Sequence, residues 1–390
     1  MNLFLIKKLN LQNLFIFKYL CKINSIKKMS EMYSVLVGDV GGTNIRLNIR
    51  RISKDPKVPH TVVEKVKLYT QKYPSLEAAI EEYLTPYKNT ENYPLYAVIG
   101  IPGVIKNNEL IKCANIKHWP KANGDEYAKK FGIKKFLFIN DFACNAYGIQ
   151  TNLIKDEDYI IINDVPAEEG GPKGIIGPGS GLGNALLIKN PDNKFYTIVS
   201  CEGGHMDFIS KNKKHFELGE FTKKFLGQEL ICIERICSGQ GLIPIYKYLL
   251  EKEKDIKRDM DLGNKIDAIK DLKNSLEIDQ LNIEIVNKGI SNDCPLCKKV
   301  LEFFIEIFGE ITGDMALYCL PSCGMYLVGG LSLALKDMIK NSGIFMQHFV
   351  NKDNFKFLME KFPVYLVTNG ELGILGSAEC ARRLIEKNEV

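Results

Sequence analysis

From Ser34 onward, short β-branched runs alternate with stretches whose apolar residues recur at helical spacing, the pattern of an α/β protein. The runs predict strands at 35–37, 45–49, 62–68, 97–101, 136–139, 159–162, 174–176, 185–188, 325–328 and 364–367, with another ahead of Glu202. Helices are expected over 76–84, 125–131, 217–226, 243–251, 296–317, 331–339 and 374–386. Residues 251–280 are dense in Lys, Asp and Glu and read as a solvated face and loop. No internal repeat is visible. A boundary is expected after Asn140, where one alternation ends and Asp141 opens the next. Sites in open α/β sheets form beyond the carboxyl ends of strands, so the turns after the strand runs hold the candidate chemistry.

The first such turn runs from Asp39 through Gly41, Gly42 and Thr43 to Asn44. Backbone N–H groups in a glycine turn make a concave anion site, and the Asp39 carboxylate can hold a phosphate-bound magnesium through water. A plain hairpin with Gly-Gly at its tip is the competing reading. The second turn, Gly177-Pro178-Gly179-Ser180-Gly181-Leu182-Gly183, is neither a P-loop nor a dinucleotide fingerprint. Glycine at every other position strips one face of a strand, so a bulky ligand can lie on the backbone, and a flexible hairpin is the alternative. A third pair, Gly329-Gly330, joins a strand to a helix and can face an anion or a nucleotide ring.

Asn140, Asp141, Glu202, His205 and Glu234 supply the fixed donors and acceptors that a polyhydroxylated ligand needs. Other readings compete: Glu202 and His205 as two metal ligands, Glu234 paired with Arg235 on a helix surface, and Asp141 as a helix N-cap.

At roughly 150 residues per domain, 390 residues suggest two to three domains. The net charge of +5 hints at an anionic partner, but residues 1–30 hold six lysines and no acid, leaving the rest nearly neutral. No basic run interleaved with aromatics follows, which excludes a nucleic-acid surface there. No apolar stretch reaches the roughly 18 residues of a membrane span. Eleven scattered cysteines read as reduced and buried. The lone CxxC of Cys294 and Cys297 lacks nearby partners for zinc, so a helix beginning near Pro295 is the expectation there. Residues 1–33 are apolar and basic like a transit peptide but carry Lys where Arg is usual, and Met29 and Met32 offer later starts. The segment is set aside from the fold, with the cytoplasm as expected location and organelle targeting left open.

Taken in order, Asp39 to Arg46, Ile139 to Phe142, Gly177 to Gly183, Glu202 to His205, Glu234 to Gly241, Leu327 to Gly330 and Gly373 to Ser377 closely resemble the bacterial-type glucokinases of the hexokinase and actin-like ATPase superfamily. The resemblance implies two ribonuclease-H-like lobes with a cleft between them, closing on ATP and glucose. It places the small lobe at 34–140, with the helix of about 373–390 packed back on it, and the large lobe at 141–372.

It further implies sugar contacts at Asn140, Asp141, Glu202, His205 and Glu234, with Asp141 as the base. Asn115 joins them by the similarity of Cys113 to Trp119 to the family's sugar loop. Gly41 to Asn44 and Gly179, Ser180, Gly181 and Gly183 resemble the phosphate loops, and Gly329 and Gly330 the adenosine side. ATP and Mg2+ are the expected cofactors, with no metal bound directly by protein, and a homodimer is the family's habit. The zinc-binding Cys and His cluster of the related repressor and sugar-kinase branch is missing, and residues 251–283 lie outside what the family explains. An actin-like ATPase or nucleotide-gated binding protein, or a kinase for another hexose, is the alternative. An ATPase switch has no use for a polyol-shaped cluster of Glu202, His205 and Glu234.

Overall fold

In the computed structural model, residues 32–388 are described, apart from 114, 115, 117, 192–194, 273 and 274. The expected role of residues 1–33 lies, but for the start of the first strand, outside them. The chain divides into two compact units. One takes the described residues of Met1–Ile139, Thr151–Leu153 and Ser377–Val390, and the other Asn140–Gln150 and Ile154–Gly376.

The first unit is built on a five-stranded sheet. Its strands are β1 (Met32–Val40), β2 (Asn44–Ser53), β3 (Thr61–Tyr69), β4 (Tyr96–Ile101) and β8 (Lys135–Asn140), in the order β3-β2-β1-β4-β8. β1 pairs antiparallel with β2, in a register that sets Asp39 opposite Arg46, and parallel with β4. β4 is buried at every position, as expected of a central strand covered on both faces. Helix α1 (Leu76–Leu84) is capped by Ser75, whose side chain accepts the Ala78 N–H, a cap worth about 1 kcal/mol. It lays Leu76, Ala79, Ile80 and Leu84 onto the sheet. Helix α2 (Gly124–Phe131) adds Tyr127, stacked edge-on against Phe136 and Phe138 at 5.4 Å. A small sheet of β5 (Val104–Lys106), β6 (Glu109–Lys112) and β7 (Ala122–Asn123), absent from the sequence expectations, completes the unit.

The second unit carries a six-stranded mixed sheet. Its strands are β9 (Tyr159–Asn163), β10 (Lys173–Pro178), β11 (Leu182–Lys189), β12 (Tyr196–Cys201), β13 (Met325–Leu327) and β14 (Val364–Val367), in the order β12-β11-β10-β13-β14-β9. Around it lie α3 (Asp141–Gly148), α4 (Lys213–Leu226), α5 (Gly239–Lys252), α6 (Met260–Ala268), α7 (Ser275–Ile290) and α8 (Pro295–Cys319). α8 is apolar nearly all round and forms the spine of the large core, with Phe303, Phe304 and Phe308 fully buried against Phe345 and Phe349. Cys294 caps this helix, its Sγ accepting the Cys297 N–H at 3.3 Å, so the CxxC has a packing role.

Two expectations need correcting. Residues 251–280 hold real helices, because Leu262 and Ile266 of α6 and Ile278, Leu281 and Ile285 of α7 enter the large core beneath a charged outer face. The single helix expected over 331–339 is two, Gly330–Ala334 and Lys336–Asn341, broken where Leu335 takes φ −94 and ψ 10.

The last helix, α9 (Leu372–Asn388), begins in the second unit and from Ser377 belongs to the first. Its Gly376 approaches α3 so closely that a Cβ would collide with the Cys144 carbonyl. Farther along, buried Arg382 makes a bidentate pair with Glu379 at 2.7 and 2.8 Å and donates to the Lys54 carbonyl at 3.0 Å. No described helix is long and apolar enough to cross a membrane.

Candidate functional site

In the first unit, the turn after Asp39 is held by its own chain. Gly41 donates to the Asn44 carbonyl at 2.7 Å, while Thr70 donates its hydroxyl to Gly41 and its N–H to Thr43. Arg46 stands 3.5 Å from the Asp39 carboxylate. Burial pushes the Asp39 carboxyl above its ordinary range, and the Arg46 charge pulls it part of the way back. Asn115 lies outside the described residues; Trp119, four positions later in the sequence, donates its ring N–H to the Tyr73 carbonyl at 3.0 Å.

The remaining candidates, Asn140, Asp141, Gly179, Ser180, Gly181, Gly183, Glu202, His205, Glu234, Gly329 and Gly330, all fall within the second unit. Asn140 ends β8 and caps α3: its Oδ1 accepts the N–H groups of Phe142 at 2.9 Å and Ala143 at 3.2 Å. The N-cap is therefore Asn140 and not Asp141, which is the first helical residue and also accepts the Phe142 N–H at 3.0 Å. Two residues with separate tasks emerge, since the amide carries the cap and the carboxylate sits at the helix's positive end.

Phe142 then fixes where Asp141 stands. Its ring lies over Gly183, where a Cβ would come within 2.6 Å of the ring Cγ and closer to its edge. This overturns part of the reading of glycine at period two. At Gly177, Gly181 and Gly183 the missing side chain is replaced by protein: Val328, the Glu234 carboxylate and Phe142, respectively. At Gly179 and Gly330 a Cβ would meet nothing within 4 Å and the backbone has no positive φ, so the fold itself does not demand glycine there. Gly329 differs again, with φ +90 and a Cβ position 2.6 Å from the Pro178 carbonyl.

Glu202 and His205 flank a 3-10 turn at the end of β12, both half-exposed and 3.9 Å apart. The turn is stitched to its neighbours. Gly203 donates to the Asn184 side chain at 3.2 Å, a Cβ on Gly204 would strike the Leu182 carbonyl, and Ile233 donates to the Met206 carbonyl at 2.8 Å. Glu234 faces the glycine loop, its Oε2 accepting the Leu182 N–H at 3.0 Å. Arg235 does not pair with it, donating instead to the Gln240 Oε1. The glycine loop, the Glu202–His205 turn and Glu234 thus form one hydrogen-bonded cluster, with Asp141 seated beside it by Phe142.

A profile of known glucokinases matches residues 36–384. The chain belongs to the glucokinase family. A glucokinase of Nostoc punctiforme is 30% identical over 357 residues, covering 90% of this chain and all of that protein. The glucokinase of Balamuthia mandrillaris, solved in complex with glucose, superposes with a TM-score of 0.71 at 20% identity, covering 90% of this chain and 94% of the other. A ROK-family glucokinase of Streptomyces griseus, solved with glucose and AMPPNP, superposes with a TM-score of 0.58 at 17% identity, covering 90% and 99%.

Relative to this glucokinase frame, the sequence reading missed two things. Phe142 and Gln240 stand inside the matching tracts but were given no role there, and Asn184 lies outside them; all three position the cluster. The second is a buried group outside the cluster, in which His215 Nε2 lies 3.1 Å from Glu306, its Nδ1 3.3 Å from Glu310, and His348 Nδ1 3.1 Å from Glu310. Glu306 and Glu310 stand one turn apart on α8, a spacing that signals a shared face. Among the described residues, His215, Glu306 and Glu310 alone have metal-ligand proximity. Lys214 lies near the Glu306 carboxylate, and Lys352 donates to the Glu310 backbone carbonyl at 2.8 Å and to Asp314 at 2.7 Å, so the group reads as a polar network tying α4 to α8.

Proposed function

We propose that this glucokinase-family chain transfers the γ-phosphoryl group of Mg-ATP to the 6-hydroxyl of glucose, giving glucose 6-phosphate and ADP, with Asp141 as general base. The observation that carries the reading is the clustering within one unit of Asp141, the Gly177–Gly183 loop, the Glu202–His205 turn and Glu234, through Phe142 on Gly183 and the Leu182 N–H on Glu234. The glucose and AMPPNP held by the two solved relatives support the ligand classes.

The assignments follow the chemistry. Asn140, Asp141, Glu202, His205 and Glu234, with Asn115, are the sugar contacts: carboxylates accept from hydroxyls, and an amide or imidazole can donate. Asp39, Gly41 to Asn44, Gly179 to Gly181, Gly183, Gly329 and Gly330 are the nucleotide side. Gly179 and Gly330, where the fold itself imposes no glycine, are where a ligand's approach to the backbone would impose one. Mg2+ favours hard oxygen donors and keeps its waters, and the half-buried Asp39 carboxylate beside the glycine turn fits such an outer contact. Held there, the ion would supply charge neutralisation on the triphosphate.

Phosphoryl transfer passes through a loose, in-line transition state, so positioning and electrostatics dominate. Asp141 has only to orient the 6-hydroxyl and take its proton late, a contribution of about 10²- to 10⁴-fold. The same reading takes 34–140 with the C-terminal helix as one lobe and 141–372 as the other, a homodimer and a cytoplasmic location.

The test is a coupled assay on the chain from Met32 with Mg-ATP and a hexose panel, beside its Asp141→Ala variant. Glucose-dependent ADP release in the parent, lost by orders of magnitude in the variant, supports the reading. ATP hydrolysis indifferent to every sugar overturns it.

A further inference from the structure

We infer that Gln240 is a positioning residue of the phosphoryl-donor loop, presenting the Ser180 and Gly181 N–H groups to the nucleotide's phosphates. This rests on the kinase reading above.

The loop closes on itself through the Gly179 N–H, which donates to the Gly181 carbonyl at 2.8 Å. That leaves the carbonyls of Gly179 and Ser180, and a carbonyl dipole aimed at a polyphosphate repels it. Both are drawn to one side. The Gly179 carbonyl accepts the Gly239 N–H at 2.8 Å, and the Ser180 carbonyl accepts the Gln240 Nε2 at 2.9 Å. In a planar trans peptide the C=O of one residue and the N–H of the next point in opposite directions. Pulling the carbonyls of 179 and 180 toward the start of α5 therefore turns the N–H groups of Ser180 and Gly181 the other way, as a paired anion nest.

The side chain of Gln240 is itself aimed. Arg235 donates to its Oε1, which fixes Nε2 as the end that faces Ser180. Ser238 locks the segment behind it, donating its hydroxyl to the Glu234 carbonyl at 2.7 Å and accepting the Gln240 N–H at 3.1 Å. The Gly239 bond is a backbone bond that does not depend on the side chain at 240. The Ser180 bond depends on the amide at 240, so the two can be separated by substitution. Glu234 holds the neighbouring Leu182 N–H, so the same short segment touches both the proposed sugar contacts and the loop.

Four variants of the full chain test the inference: Gln240→Met, which keeps the length and removes both polar ends; Gln240→Glu, which keeps the Arg235 pairing but sets an acceptor against the Ser180 carbonyl; and Arg235→Lys and Arg235→Met. Steady-state kinetics, ADP affinity by calorimetry and thermal melting are read for each. Q240M should raise KM for ATP and weaken ADP about tenfold, the scale of one hydrogen bond, with KM for glucose within about twofold and little change in Tm. Q240E should lose at least as much. R235K should stay near the parent and R235M should follow Q240M. Nucleotide constants unchanged in Q240M and Q240E would overturn the inference, as would parallel rises in both KM values with a large drop in Tm. ADP binding needs no sugar chemistry. A parent that binds ADP yet phosphorylates no hexose sinks the kinase reading while the variants still decide the role of Gln240; a parent that binds no ADP sinks both.

Discussion

The glycine loop offers a sharp contrast between a glycine required by packing and one required by a ligand. Consider Gly183→Ala and Gly179→Ala. At 183 the new methyl would lie 2.6 Å from Phe142 Cγ and nearer still to the ring edge, where ordinary carbon contacts are about 3.5–4.0 Å. The ring must withdraw by about 1 Å or more from a well-packed position, an overpacking cost of about 2 kcal/mol. For a unit of this size that lowers Tm by about 4–8 °C. Because Phe142 follows Asp141 directly, kcat should fall about tenfold or more as the carboxylate shifts with the helix start. At 179 the methyl meets nothing within 4 Å, and the lost freedom of the unfolded chain stabilises by about 0.5 kcal/mol. Tm should hold or rise slightly, while KM for ATP climbs on the proposed assignment of this loop to the phosphates. Differential scanning fluorimetry and initial-rate kinetics on both variants make the comparison. Equal destabilisation by the two substitutions, or an undisturbed Tm and kcat in G183A, would refute the reasoning from Cβ contacts.

Asp141→Asn keeps an acceptor for the Phe142 N–H but cannot take a proton, so kcat should drop about 10²- to 10⁴-fold at an unchanged Tm, measured with saturating substrates. His60 is held neutral by burial and the neighbouring Arg50, its pKa lowered to about 4, so the unfolded chain binds the proton that the folded chain refuses. Stability should therefore fall as pH drops from about 6.5 to 4, by about 2–3 kcal/mol, and urea titrations should find this slope missing in His60→Gln. Arg382→Met leaves the buried Glu379 with Arg383 alone and should cost about 3 kcal/mol by urea unfolding; a loss under 1 kcal/mol would show that the pair is not what anchors α9.

Much of this was legible from the chain because strand ends carry the chemistry. β-branched runs ending in Asp39, Asn140 and the residue before Glu202 announced their own turns. What stayed hidden needed a partner from far away. Gly181 and Gly183 look like open backbone until Glu234 and Phe142, 53 and 41 residues distant, fill their space. α6 and α7 hid because a helix with one apolar stripe and a heavily charged outer face averages to the composition of a loop. α3 hid because its small residues, Ala143, Cys144, Ala146 and Gly148, suit close helix packing without a strong periodic signal. The His215 group was invisible because its members come from α4, α8 and the short helix Ile344–Phe349.

The split of α9 between the two units bears on how the protein is made. Ser377 donates to the Gly38 carbonyl at 2.8 Å across 339 residues of sequence, and Arg382 reaches Lys54 across 328. A ribosome working at about 5–20 residues per second needs about 12–50 seconds to travel from residue 140 to residue 377. Through that interval the first unit exists without its closing helix. A nascent chain halted before residue 377 should therefore be far more open to proteases in its N-terminal third than the finished protein, because the Gly38 carbonyl of β1 and the Lys54 carbonyl just past β2 wait for Ser377 and Arg382 until synthesis ends.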